Sequence, residues 1–464
     1  MHRIDVHKLV DEARFNGYHA LVLFWYVLIL VIDGYDLAVV GAALPAIMAD
    51  MGVDATKAGF MASSALFGMM FGAISLGTLA DKVGRRMSIA FCIALLSVFT
   101  AAAGLTRDPV TFSITRFLAG LGIGGIVPIV TAQMAEFAPV RLRGRLVTLV
   151  FTGYSVGGIL VALIGKQLIE AYGWQSVFFA ALAPVLLIPF IMKTMPESMP
   201  FLIKKGRDAE LRRIVRKVVP NYPLQERERF LVPAEDRATS APVAKLFQDG
   251  RGFSTVMIWI AFAMGLFMVY ALSSWLARLM AMAGYSLGSA LNFVIVFNVG
   301  AMIGAVFGGW LGDKFNIKHV LVAFYAVGAV ALALMGYAKS TELLFLIVFI
   351  VGASTLGTQL VAYAYAGGFY PTAIRSTGVG FATGIGRLGA ILAPILIGTL
   401  VSLQLPLEQN FMAIGLAGLL GTIAVMLINH KLSASAHHYD AAKEAEQVDA
   451  ASATAGPSSI VARS

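Results

Sequence analysis

The chain has 464 residues, of which 58% are hydrophobic and 13% charged, and its mean hydropathy is +0.80. A soluble enzyme or soluble binding module does not carry this balance, so both classes are set aside at the outset. The net charge of +9 would elsewhere suggest nucleic acid, but the basic residues lie between long apolar runs, so membrane topology accounts for them and no nucleic-acid partner is expected.

In chain order, a polar N-terminal segment, 1–19, leads directly into an apolar run too long for a cleavable signal. Twelve such runs follow, each long enough at 1.5 Å per residue to cross roughly 30 Å of hydrocarbon. They cover about 20–48, 58–80, 87–105, 110–135, 146–168, 174–195, 253–279, 288–312, 319–338, 342–367, 376–402 and 410–430. The pattern predicts an all-α membrane protein: an N-terminal bundle of six helices (20–195), a charged cytoplasmic loop (196–252), a C-terminal bundle of six (253–430), and a small, polar, disordered cytoplasmic tail (431–464). With the N-terminus in the cytoplasm, only Lys57, Arg107, Lys166, Arg278 and Lys339 of the 35 Lys and Arg fall in outer loops. That bias predicts a multi-pass protein of a bacterial-type inner (plasma) membrane with both termini inside. Cys92 is the only cysteine, and all seven histidines lie at span ends or outside the spans, so no disulfide, metal cluster or cofactor is expected.

The two sixes are copies. An ungapped offset of 232 residues lays "GTLADKVGRR" (77–86) on "GWLGDKFNIK" (309–318), matching Gly77 to Gly309 and Asp81 to Asp313. The same offset lays "FAPVRLR" (137–143) on "FYPTAIR" (369–375), and "YSVGGIL" (154–160) on "GRLGAIL" (386–392). Parallel six-helix repeats about an axis along the membrane normal are a construction of secondary transporters, with the site between the halves.

From these segments the chain resembles the major facilitator superfamily over residues 20 to 430. The loop motif "GTLADKVGRR" carries most of the likeness, with "RFLAGLGIGG" in span four and "GYSVGGILVALIG" in span five. More narrowly, "DGYD" (33–36), followed by "ALPAIMADMGVDATKAGF", is similar to the aromatic acid:proton symporters, and within them to the benzoate permeases. The resemblance implies import of a small aromatic carboxylate, benzoate or a hydroxybenzoate, together with protons, by a protein that functions as a monomer. It also implies that the first-span carboxylates, Asp33 and Asp36, and the fourth-span Arg116 are needed for transport.

The residues alone point the same way. Asp33 and Asp36 are three apart on a helix near the bilayer centre, where each charge costs about 2.5–3.5 kcal/mol and is tolerated only beside a cavity or partner. One or both are the expected proton carriers, with Asp33 the first choice and Asp36 the holder of Arg116. The plain alternatives are packing carboxylates satisfied by Ser or Thr, and an Arg116 that snorkels to the outer interface. Arg387, deep in span eleven, is expected to take the substrate carboxylate by a two-point contact. Asn298 and Gln359 near the middles of spans eight and ten, and the aromatic Tyr154, Tyr270 and Trp275, complete the expected substrate site, although aromatics in spans more often serve packing.

The resemblance also implies a gate in which Asp81, and its copy Asp313, braces the cytoplasmic ends of the halves together, within the motif residues Gly77, Gly84, Arg85 and Arg86. Arg143 and Arg375 are the expected cationic neighbours of the two aspartates, and Glu136 belongs with this cluster. The second copy is degraded, since Asn316 and Ile317 stand where the first has Gly84 and Arg85. No GxxxxGK[ST] loop is present for ATP-driven transport, which leaves the proton gradient as energy source. An exporter, or an importer of another organic acid or drug-like compound, remains the alternative because it would share nearly all of these residues.

Overall fold

The computed structural model describes residues 3–220, 222, 229–231 and 243–434. Twelve helices are long and apolar enough to cross a membrane. They are α1 (Gly17–Met51), α2 (Ala55–Val83), α3 (Arg85–Ala103), α4 (Pro109–Phe137), α5 (Arg143–Tyr172), α6 (Gln175–Thr194), α7 (Gly252–Met282), α8 (Leu287–Lys314), α9 (Ile317–Met335), α10 (Thr341–Phe369), α11 (Thr372–Ser402) and α12 (Leu407–Leu427). Pro184 and Pro189 break α6 into two short helices joined by a 3-10 turn, since proline supplies no donor to the helix interior. Most of the expected spans begin and end within a few residues of these helices.

Each bundle is assembled in the same order. In the first, α2 packs on α4, α1 on α5 and α3 on α4; in the second, α8 packs on α10, α7 on α11 and α9 on α10. The repeat reaches individual backbone contacts. Gly68 and Gly72 abut the carbonyls of Phe117 and Leu121, and 232 residues on Gly300 and Gly304 abut those of Phe349 and Ala353. Gly120 against Ala65 is repeated as Gly352 against Phe297, and Gly157 against Val31 as Gly389 against Ala263. A Cβ at any of these positions would collide with backbone, so glycine is what lets the helices approach closely, as membrane helix interfaces commonly require.

The bundles meet through α2 with α11, α5 with α8, and α1 with α7. Gly41 touches the backbone of Ser273, its own equivalent, so α1 and α7 cross at the pseudo-twofold axis.

The end of the bundle pair that carries the first helix start and the central segment is the basic end; the opposite end is called the far end. At the basic end two short helices, Met199–Lys204 and Asp208–Val218, pack beneath the first bundle. The second is amphipathic and buries Leu211, Ile214, Val215 and Val218. Asn16 caps α1 and donates from Nδ2 to the carbonyls of Lys217 and Val218 (3.0 Å each), tying the chain start to this helix. Residues Arg3–Asp5 and Arg229–Leu231 pair as a small parallel two-stranded sheet, an element the hydropathy pattern does not announce. The tail beyond residue 434 lies outside the described residues.

Candidate functional site

A cavity of about 170 Å³ lies between the bundles, the volume of roughly a dozen waters at about 10–15 Å³ each. Its wall is drawn from α1, α2, α4, α5, α7, α8, α10 and α11 and is mostly apolar and aromatic. Arg387 is the one charged residue among the described lining residues. Asn298, Gln359, Tyr154 and Tyr270 line the cavity with it, so the structure brings together five of the six residues expected for the substrate.

The sixth, Trp275, is elsewhere. It is fully buried in the second bundle, donates from Nε1 to the Pro394 carbonyl (2.9 Å) and packs over Gly398, so its role is to join α7 to α11. Two lining residues carry no signal of their own in the sequence pattern: Tyr363, which packs edge-on against Phe262, and Ser155, whose buried hydroxyl has no hydrogen-bond partner among the described residues. Ser155 is marked only as the repeat equivalent of Arg387.

The cavity is closed on one side. Every hydrogen bond between the bundles lies toward the far end among the described residues: Thr56 Oγ1 with Ser402 Oγ (2.8 Å), Ser63 Oγ donating to the Ile391 carbonyl (2.7 Å), and Lys166 Nζ donating to Asn292 Oδ1 (2.8 Å). Gly59 against Pro394 and Ala55 against Gly398 seal the same region. Val127, Phe151 and Thr383 carry the lining toward the basic end, where no such bonds join the described residues of the two halves. The cavity therefore faces the basic end.

Behind the wall, within the first bundle, lies the charged constellation expected of span one. Asp36 Oδ1 accepts from Arg116 Nη1 (3.1 Å) and from the Thr100 hydroxyl. Arg116 also donates to Thr100 Oγ1 (2.7 Å) and, from Nη2, to the Asp36 carbonyl (3.0 Å). Both side chains of the ion pair are 1% exposed, so Arg116 does not snorkel. Asp33 is fully buried one turn away, beside Tyr154 and within electrostatic reach of Arg387 and Asp36. Neither of its carboxylate oxygens has a hydrogen-bond partner of normal geometry among the described residues. Asp33 does not itself line the cavity; its neighbour Gly34, pressed against the Tyr154 backbone, and Tyr154 both do.

The fold is duplicated but this chemistry is not. At the repeat offset Asp33, Asp36, Thr100 and Arg116 meet Gly265, Met268, Leu332 and Val348. Conversely, Arg387, Gln359 and Asn298 meet Ser155, Val127 and Leu66 in the first half. One bundle holds the buried carboxylates and the other supplies the cavity's cation and amides.

At the basic end the loop motif is engaged, among the described residues, by the first half and the central segment. Arg85 forms an ion pair with Glu136, which also accepts from Ser198 Oγ (2.9 Å), so Glu136 does belong with the motif residues. Glu197, in the segment after α6, was not anticipated. Its buried Oε1 accepts from the backbone N–H of Arg85 (2.7 Å), Arg86 (3.2 Å) and Ser198 (3.0 Å), capping the start of α3. Gly84, with φ +105°, is the motif glycine that makes room, since a Cβ there would fall 2.7 Å from Glu197 Oε2. Arg86 reaches Glu210 at 3.7 Å. Gly77 faces only the ring of Pro128.

Arg143, the expected cationic neighbour of Asp81, is engaged elsewhere, and the expectation for Asp313 falls on a side chain outside the described residues. Asp81 is largely exposed and 3.9 Å from Arg85, its own neighbour one turn on. Arg143 instead pairs with Asp11 of the N-terminal segment, a contact between distant parts of the chain that loop spacing does not reveal. Arg375 is exposed, with Nε 3.5 Å from the Tyr370 carbonyl, and the side chain of Asp313 lies outside the described residues.

Two six-helix bundles related by a repeat, enclosing a cavity open to one side, with buried ionisable groups beside it, define a secondary membrane transporter. The Major Facilitator Superfamily family model matches residues 26–358 and 289–461, and the chain belongs to that superfamily. It is 42% identical to the benzoate transport protein of Acinetobacter baylyi, over 92% of this chain and 93% of that protein. It is 34% identical to a 4-hydroxybenzoate transporter of the same organism, over 84% of this chain and 86% of that protein. Among solved structures, a proton:xylose symporter bound to 6-bromo-6-deoxy-D-glucose superposes with a TM-score of 0.68 at 18% identity, covering 89% of this chain and 96% of that one, a likeness of fold.

Proposed function

We propose that the chain is a proton-coupled importer of an aromatic carboxylate, benzoate or a hydroxybenzoate, that works by alternating access. The observation that carries this reading is the cavity itself, mostly apolar and aromatic, with Arg387 as its single charge among the described lining residues. A guanidinium matches a carboxylate with two parallel donors, and an apolar surround suits a ring. The two relatives, named for benzoate and 4-hydroxybenzoate, support the same substrate class.

In this reading the basic end is cytoplasmic, in keeping with the positive-inside bias, and the structure is the inward-facing state. Asp33 carries the proton, since its carboxylate is fully buried beside Tyr154, a residue of the cavity wall, and takes part in no ion pair among the described residues. Asp36 holds Arg116 and fixes α1 against α3 and α4. Closing the basic end would bring Asp81 to the opposite half, and opening the far end would break the Ser63 and Thr56 contacts. The protein acts as a monomer, because the cavity is complete within one chain.

The test is uptake of labelled benzoate and 4-hydroxybenzoate by cells carrying the protein, at several external pH values, with and without a protonophore. Accumulation that rises as the outside is acidified and vanishes with the protonophore supports the proposal. Uptake of neither acid, or uptake indifferent to the proton gradient, overturns it.

A further inference from the structure

The cavity has a second polar pole that a carboxylate at Arg387 does not use. Gln359 on α10 is 5% exposed, lines the cavity, and has no hydrogen-bond partner for either Oε1 or Nε2 among the described residues. A buried amide with both functions unpaired is costly, so a site that keeps one is built to have it satisfied by what binds there. Asn298 and Ser155 are among the other polar residues of the wall. Asn298 donates from Nδ2 back to the Val294 carbonyl (2.9 Å) of its own helix, with its amide against Gly158, and Ser155 Oγ is unpartnered.

The repeat shows how the amide is accommodated. Where the first half has Asp33 the second has Gly265, and a Cβ there would fall 2.7 Å from the Tyr325 hydroxyl, itself committed to the Ala261 carbonyl, and 3.0 Å from Gln359 Oε1, so glycine is what lets the amide lie against α7. One turn beyond Gln359, Tyr363 lines the cavity from the same helix, and Tyr270 lies within electrostatic reach of both Tyr363 and Arg387. A pair of tyrosines thus shares the wall with the cation and the neutral amide.

We infer that Gln359 is a specificity-determining residue that hydrogen-bonds a ring hydroxyl, so that the site takes phenolic aromatic acids in preference to the unsubstituted acid. This rests on the proposal that the cavity binds an aromatic carboxylate. With an unsubstituted ring, the carboxylate is satisfied at Arg387 while the amide gains no partner; a ring hydroxyl both donates to Oε1 and accepts from Nε2. Sites that hydrogen-bond a substrate hydroxyl discriminate strongly against the analogue lacking it, because their buried groups are then left unpaired.

The experiment measures binding of benzoate, 3-hydroxybenzoate and 4-hydroxybenzoate to the purified full-length protein and to Gln359→Leu. The wild type is expected to bind one of the hydroxybenzoates about tenfold or more tighter than benzoate. Gln359→Leu should remove that preference by weakening the hydroxybenzoate alone, with benzoate unchanged or tighter. If the leucine variant does not fold, Gln359→Met, of similar length and without the amide, supplies the same comparison. Benzoate preferred by the wild type, or both ligands weakened equally by the variant, overturns the inference while leaving the aromatic-acid reading intact. Binding of none of the three acids overturns both.

Discussion

Arg116 holds Asp36 at 3.1 Å deep inside the first bundle, with both side chains 1% exposed and Thr100 bonded to each. The second bundle manages the same packing without charge, using Val348, Met268 and Leu332 at the equivalent places. The pair is therefore not demanded by the fold. Removing one partner leaves an uncompensated buried charge, so Arg116→Gln should cost about 3–5 kcal/mol of stability, whereas replacing a buried ion cluster by apolar residues is often neutral or stabilising. The triple exchange Asp36→Met, Thr100→Leu, Arg116→Val, copied from the second half, should restore much of the thermal stability lost in the single variant and yet fail to accumulate substrate. Proton-driven accumulation at the wild-type level by the triple variant would show that the cluster serves stability alone.

The gate can be separated from the substrate site. Asp81 is exposed and only loosely near Arg85, and such surface pairs contribute little. Asp81→Asn should therefore leave benzoate binding to the purified protein unchanged while slowing uptake, by about 5–150-fold if the lost contact in the closed state carries the usual 1–3 kcal/mol of conformational coupling. Comparing equilibrium binding with initial uptake rates decides it. Impaired binding with a normal transport cycle would remove Asp81 from the gate.

How far the sequence reveals this site depends on whether a residue's role is set by its helix or by its neighbours. The repeat was legible because the glycines that allow close helix approach, such as Gly68 and Gly300, recur at one offset. Depth was legible as well, which is why Asp36 and Arg116 were matched before their contact was known. Facing was not. The seventh span is apolar on all sides, so no periodicity separates Trp275, buried against Pro394, from Tyr270 on the cavity wall. Contacts made by the connecting segments were hidden too: Asp11 with Arg143, and Glu197 with the start of α3, join stretches far apart in the chain.

Arg387 offers a direct test of the carboxylate anchor. Arg387→Lys keeps the charge but removes the planar fork, and losing part of a buried charge contact typically costs about 2–5 kcal/mol. Affinity for benzoate should fall accordingly, and benzamide, which has no charge, should compete poorly with benzoate in the wild type. Titration of the purified protein with both compounds measures this. A lysine variant of wild-type affinity would refute the two-point contact.

Asp33 and Asp36 differ in what surrounds them, and that difference predicts different defects. Asp36 is occupied by Arg116 and Thr100, whereas Asp33 lies beside Tyr154, a residue of the cavity wall, and takes part in no ion pair among the described residues. An asparagine at position 33 imitates a permanently protonated carboxyl group and removes no ion pair, so the fold should tolerate it. Gradient-driven accumulation by Asp33→Asn should collapse, while exchange of labelled for unlabelled substrate survives, because exchange needs no net release of a proton. Asp36→Asn frees Arg116 and should impair both modes together with stability. Purified variants in proteoliposomes, assayed for gradient-driven uptake and for counterflow at several pH values, separate the two cases. Proton-driven accumulation persisting in Asp33→Asn would end its role as carrier; if it persisted in both variants, the search would pass to Glu136, the partly buried carboxylate at the basic end of α4 that pairs with Arg85.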